Sequence, residues 1–239
     1  MVYFWLALKL EAIIKLKKDH LDGKRVFADR ERTNVLRKGE QALILFLLQR
    51  VPAWITPNIM TGIGIFGSLI VFLSFILASF YAKSCLLIGI LGFVINWLGD
   101  SLDGRLAYFR KIPRKWYGFA LDIVMDWLSI ILIGLGYYYY ADGGTQIFAF
   151  LFVVLYGWSM IISQLRYKIT GFYQIDAGAL GPTELRVIIS LVLIAETLFT
   201  GSITYFAIAM VALLLVINIS DTFKLLKAGD AKDKEEKIS

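Results

Sequence analysis

The sequence is poor in the residues that most often bind transition metals or act as nucleophiles. Its 239 residues include one cysteine, Cys85, and one histidine, His20. One cysteine cannot form an intramolecular disulfide, and one residue of each type excludes a His/Cys metal cluster and a Cys–His nucleophile pair. Charged residues are also scarce, at 18%, whereas 58% of the residues are apolar. A soluble domain is about 45–50% apolar, so the composition indicates an integral membrane domain.

Apolar segments dominate the chain from residue 51 onward. Six of them approach the length of about 20 residues that a helix needs to cross a bilayer. Residues 39–50 are too short to span, and residues 1–18 carry lysines around an apolar face, as helices on a membrane surface do. We therefore expect an all-α integral membrane fold, with six transmembrane helices preceded by one or two interfacial amphipathic helices. The expected spans are 58–81, 85–110, 115–140, 145–165, 183–200 and 203–226.

The distribution of charge predicts the orientation and the domain limits. All but one of the 25 lysines and arginines fall within residues 1–57, 105–115, 166–186 and 224–237, the exception being Lys83. Six spans place these four groups on one side, so the positive-inside rule puts both termini in the cytoplasm. The expected divisions are an interfacial segment at 1–50, a six-helix domain at 51–227 and a disordered charged tail at 228–239.

Four aspartates lie at the cytoplasmic ends of the second and third predicted spans. Asp100 and Asp103 are three residues apart and Asp122 and Asp126 four apart, so each pair shares a face if its segment is helical. Carboxylates in hydrocarbon are costly and usually functional. Four convergent carboxylates suit hard cations such as Mg²⁺, with phosphate oxygens completing the coordination. The alternative is a set of solvated or paired acids at helix ends.

The spacing of these residues resembles the signature of the CDP-alcohol phosphatidyltransferases. That signature is D-x2-D-G-x2-A-R, eight or nine further residues, and then G-x3-D-x3-D. The sequence departs from it at one fixed position, where Tyr108 replaces the arginine. The matching residues are Asp100, Asp103, Gly104, Ala107, Gly118, Asp122 and Asp126.

Both the residues themselves and the resemblance suggest a division of roles among the aspartates. Transfer of a substituted phosphoryl group from a diphosphate requires charge neutralisation and positioning, which two divalent ions supply. Asp100, Asp103 and Asp122 are expected chiefly to bind Mg²⁺ or Mn²⁺. Asp126 belongs to the expected metal site as well, but it lies one turn deeper, where a lipid hydroxyl would arrive, and the resemblance implies that it is the general base. The reaction would then release CMP.

Further residues are expected to bind the donor nucleotide and its phosphates. In the family, small residues at Gly104, Ala107 and Gly118 let the cytidine and phosphates pack closely. Arg105 and Arg110 flank the position of the missing arginine, which would contact the donor phosphates, and Tyr108 offers a hydroxyl or a stacking face instead. Asn58 and Thr61 resemble a Pro-Asn-x-x-Thr motif of the nucleotide pocket, although helix capping explains Asn58 equally well.

The acceptor or head group is expected to bind near Arg166, Glu184 and Arg186, unless these are charges that reach the membrane surface. CDP-diacylglycerol is the favoured donor, with a polar alcohol as acceptor. The alternative is a CDP-amino-alcohol or CDP-inositol-type donor acting on a lipid hydroxyl of diacylglycerol or ceramide. A divalent-cation transporter and a non-catalytic scaffold are the non-enzymatic alternatives. We expect no nucleic-acid partner, and we expect a homodimer in which Gly134, Gly136 and Gly157 allow close helix approach.

Overall fold

A computed structural model describes residues 37–171 and 182–238 of the chain. Within these two ranges every regular element is a helix, which confirms the all-α prediction. Short 3₁₀ turns, Lys83–Cys85 and Gly143–Thr145, precede the third and fifth helices. The interfacial helix predicted at 1–18 lies outside the described residues. The helices are α1 (Arg37–Leu48), α2 (Pro57–Phe80), α3 (Leu86–Phe109), α4 (Lys115–Tyr140), α5 (Gln146–Thr170), α6 (Pro182–Leu198) and α7 (Ser202–Ile238).

Five of the described helices, α2 to α5 and α7, are long and apolar enough to cross a membrane. They coincide with five of the six predicted spans. The remaining one, α6, has only 17 residues and is not one of the five. It ends early because buried Glu196 accepts hydrogen bonds from the backbone of Gly201 and Ile203, which fixes the turn into α7. The crossing of α6 therefore stays a prediction.

The disorder predicted for residues 228–239 is wrong for 228–238, which continue α7. This segment is rich in alanine, lysine and glutamate, all strong helix formers. Extending an existing helix also avoids the cost of nucleation. Charge composition alone therefore misjudged a segment whose structure is inherited from the apolar helix before it.

The helix predicted at 39–50 forms as α1 and packs against the second half of α3. Its Ile44 and Leu48 are almost fully buried, in a cluster with Leu102 and Leu106 of α3 and Met60 of α2. Its Leu43 and Phe46 are exposed. One side of α1 thus braces the part of α3 that carries Asp100 and Asp103.

Helices α2 and α3 cross at glycines, immediately before the aspartates. A Cβ on Gly99 would lie 2.2 Å from the backbone nitrogen of Gly64, and a Cβ on Gly67 would lie 2.3 Å from that of Asn96. The buried Asn96 amide donates to the Gly64 carbonyl at 3.0 Å and to Ser68 Oγ at 2.9 Å. The close approach of Gly99 to Gly64 therefore fixes α3 against α2 one residue before Asp100.

We expect Gly99→Ala to destabilise the protein, because the new methyl group meets helix backbone that cannot move aside. Overpacking of this kind costs about 1–3 kcal/mol, occasionally more. Gly62→Ala is the matched control, since a Cβ on Gly62 has no neighbour within 4 Å. Thermal unfolding in a fixed detergent measures the difference. Equal melting temperatures for the two variants would contradict the close crossing.

The three glycines expected to allow helix pairing between subunits are instead used inside the chain. A Cβ on Gly134 would lie 2.2 Å from Val153, one on Gly136 2.8 Å from Phe75, and one on Gly157 2.6 Å from Trp127. They hold α4 against α5 and α2. These glycines therefore do not support a homodimer, and the dimer stays a prediction.

Candidate active site

A tight turn between α3 and α4 brings the two pairs of aspartates together. The backbone N–H of Lys111 donates to the Tyr108 carbonyl and that of Ile112 to the Ala107 carbonyl, with Lys111 in the left-handed region at φ 60°. This is the Schellman pattern that ends helices. Pro113, next along the chain, cannot continue α3. The chain therefore reverses, and α4 returns to pack against α2.

Three of the four aspartates converge. One carboxylate oxygen from each of Asp100, Asp122 and Asp126 lies within 4.8 Å of the other two. The helical spacing predicted from the sequence brings these side chains from two different helices to one place. All three are partly buried, so their mutual repulsion is poorly screened. Oxygen ligands at these separations fit a hard divalent cation.

The fourth aspartate, Asp103, is held slightly apart. Thr61 Oγ1 donates to its Oδ2 at 2.8 Å, and the backbone N–H of Gly104 donates to its Oδ1. Asp103 still lies within electrostatic range of Asp122 and Asp100. The predicted site residue Thr61 thus orients one acid of the cluster, a pairing between α2 and α3 that the sequence did not reveal.

A cation from α6 reaches the acid cluster. Arg186 Nη2 lies 2.7 Å from Asp100 Oδ2, and Arg186 also interacts electrostatically with Asp126. The other two residues predicted for an acceptor pocket have the following surroundings. Arg166 pairs with Asp221 of α7 at 3.1 Å, and Glu184 is buried at the start of α6. Arg186 thus lies against the aspartates, and the acceptor pocket itself stays a prediction.

The predicted site residue Asn58 does not cap α2. Thr56 does so, since its Oγ1 accepts from the backbone N–H of Ile59. The Asn58 side chain turns to α4, where its Oδ1 accepts from Arg114 Nη2 at 2.7 Å and its Nδ2 donates to the Tyr117 hydroxyl at 3.3 Å. The capping interpretation of Asn58 is therefore wrong.

The arginines beside the missing motif arginine are both engaged with backbone. Arg110 donates to the carbonyls of Val51, Pro52, Ala53 and Ile55, which fastens the segment before α2. Arg105 donates to the Ser101 carbonyl within its own helix. These bonds give Arg110 a structural task. Tyr108 is partly buried next to the helix end.

Open space borders the acids on both helices. A Cβ added to Gly104 or to Gly118 would have no neighbour within 4 Å. Ala107 follows Gly104 by three residues on α3 and is likewise small. Glycine at these two positions therefore has no packing role within the described residues, in contrast to Gly99 and Gly67. The space is available to a ligand beside the carboxylates.

Comparison with known proteins assigns the chain to a family. A family model described as CDP-alcohol phosphatidyltransferase matches residues 54–219. The match covers more than half of the sequence, and the chain belongs to this family. The protein is thus a phosphotransferase that moves a phosphoryl-alcohol group from a CDP-alcohol, in a family that uses divalent metal ions. A search of curated proteins gave no significant match.

Proposed function

We propose that the protein transfers a phosphatidyl group from CDP-diacylglycerol to the hydroxyl of a polar alcohol, releasing CMP, in phospholipid synthesis. The runner-up is the reverse arrangement, with a CDP-amino-alcohol or CDP-inositol-type donor and a lipid hydroxyl as acceptor. The observation that carries either version is the convergence of Asp100, Asp122 and Asp126 beside open space at Gly104 and Gly118.

In this proposal the chain's own residues position the reactants and move one proton. Asp100, Asp103, Asp122 and Asp126 would hold Mg²⁺ or Mn²⁺, and two such ions would neutralise the donor diphosphate. Asp126 accepts the proton of the acceptor hydroxyl. The acceptor oxygen bonds to the β-phosphorus as the bond from that phosphorus to the bridging oxygen breaks. CMP departs with the electron pair of that bond.

Orientation follows from the charge distribution. We propose that both termini and the aspartates face the cytoplasm, with α6 as the sixth span and α1 at the interface. The lysines and arginines before α2, between α3 and α4, near α6 and at the end of α7 would then share one side. A soluble nucleotide reaches the aspartates from that side, and a lipid enters between helices. A dimer is also proposed, on the family resemblance.

The test of the function is metal-dependent release of CMP from a CDP-linked donor. Purified protein with CDP-diacylglycerol, or with small CDP-alcohols, is screened against radiolabelled acceptors, and lipid product is counted. A cation transporter or a scaffold releases no CMP. Product from CDP-diacylglycerol alone selects the favoured version, and product from a small CDP-alcohol alone selects the runner-up.

We expect Gly104→Ala to weaken donor binding roughly tenfold while leaving stability unchanged or slightly higher. The methyl group would occupy the space assigned to the donor, and a steric cost of about 1.4 kcal/mol equals a factor of ten. Alanine is itself the better helix former. Gly62→Ala, the same change at an exposed position of α2, is the control. Equilibrium binding of CDP is measured for both variants. Unchanged binding in Gly104→Ala would show that the donor does not occupy this space.

A further inference from the structure

The site lacks the arginine that its signature carries after Ala107, and both neighbouring arginines already donate to backbone carbonyls. Arg110 is fastened to four carbonyls, and Arg105 donates to a carbonyl of its own helix. Arg186 is paired with Asp100. A donor diphosphate still brings negative charge to a place already crowded with carboxylates. A further cation at the mouth of the site would help to neutralise this negative charge.

Arg114 is placed to be that cation. It immediately precedes α4, and its guanidinium lies 4.0 Å from the centre of the Tyr117 ring while Nη2 donates to Asn58. These contacts hold the planar group in one orientation. They use one of its five N–H donors, and none of the described carboxylates lies within ion-pair distance of it. The side chain is exposed and within reach of a soluble ligand.

The position of Arg114 relative to the acids also fits. Arg114, Gly118 and Asp122 follow one another at intervals of four residues along α4, about 6 Å apart. Gly118, where an added Cβ would have no neighbour within 4 Å, thus lies between Arg114 and Asp122 in the helical sequence. On α2, Asn58, which anchors Arg114, precedes Thr61, which anchors Asp103, by about 4.5 Å.

We propose that Arg114 replaces the missing motif arginine and binds the phosphates of the CDP-linked donor, with Asn58 and Tyr117 as the residues that position it. This inference rests on the proposed function. A guanidinium fork is suited to phosphate oxygens because it offers parallel N–H groups. Here the fork comes from the start of the third span instead of the end of the second. The departure at Tyr108 is thereby compensated by a residue outside the signature.

The experiment is equilibrium binding of CDP, the part common to every candidate donor, in the presence of Mn²⁺. The full-length protein in detergent is compared as wild type, Arg114→Gln, Arg114→Lys and Lys115→Gln. Loss of charge-assisted bonds to the phosphates is expected to weaken CDP binding about 10- to 100-fold in Arg114→Gln. Arg114→Lys keeps the charge but not the fork, and is expected to lose less. Lys115→Gln removes the same charge from the next residue and is expected to bind as wild type.

Competition by cytidine separates phosphate binding from a structural effect. If Arg114 contacts the phosphates, cytidine affinity is the same in wild type and Arg114→Gln. Equal losses for cytidine and CDP, equal losses in Arg114→Gln and Lys115→Gln, or normal CDP binding in Arg114→Gln each overturn the inference. If Arg114→Gln fails to fold, then Arg114→Lys is the test, and wild-type CDP affinity in Arg114→Lys overturns the inference. A wild type that binds no CDP refutes the proposed function itself, which keeps the two failures apart.

Discussion

Replacing Asp122 with Asn is expected to abolish transfer while leaving the membrane fold intact. Asp122 shares a 4.8 Å cluster with Asp100 and Asp126 and also lies near Asp103. A donor diphosphate cannot settle beside several carboxylates unless cations lie between them. Removing one carboxylate lowers the affinity for those cations and so removes the donor. The same loss is expected for Asp100→Asn and Asp103→Asn.

Two measurements check this prediction. Binding of Mn²⁺, followed by its paramagnetic signal, reports the metal site without reference to turnover, and transfer assays with and without a chelator report its use. Asp142→Asn, an acid in the turn beyond the opposite end of α4, is the control and should behave as wild type. Full transfer in excess chelator, or normal Mn²⁺ binding in the Asp122 variant, would be incompatible with the assignment.

The acid cluster could be predicted from sequence because helical spacing is a local property. Residues four apart on α4 must share a face, and three apart on α3 likewise, so only the contact between the helices was unknown. The short turn at Lys111 and the packing of both α3 and α4 against α2, with the glycine crossing at Gly99, set how the two helices lie. The sequence marks both glycine and turn, but it does not say which glycines pack against backbone. Gly99 does so, and Gly104, five residues later, does not.

Roles that depend on long-range partners were not predictable in the same way. Nothing in the sequence indicates that Arg110 fastens residues 51–55, that Arg166 pairs with Asp221, or that Arg114 stacks on Tyr117 beside Asn58. Proximity to the motif alone suggests that such charged residues bind the donor or the acceptor. The structure shows that these arginines instead join separate parts of the chain.

Asp126→Asn is expected to lower turnover by at least about 100-fold while changing donor affinity much less. Asp126 follows Asp122 by one turn of α4, about 6 Å further along the helix. In the proposed orientation the shallower acid would face the nucleotide and the deeper acid the acceptor hydroxyl. A general base contributes typically 10²- to 10⁴-fold to rate. Asparagine keeps the size of the side chain and removes its basicity, so chemistry should fail while the donor still binds.

The geometry makes this prediction a sharp one, because Asp126 also lies within 4.8 Å of Asp100 and Asp122. If Asp126 were mainly a metal ligand, Asp126→Asn would behave as Asp100→Asn, in which metal-bridged contacts to the donor are lost. Equilibrium binding of a CDP-linked donor and single-turnover transfer, measured for both variants, distinguish the roles. We expect weak donor binding in Asp100→Asn and near-normal binding with slow transfer in Asp126→Asn. Normal transfer in Asp126→Asn would refute the base assignment, and a defect explained wholly by lost donor binding would make Asp126 a fourth ligand.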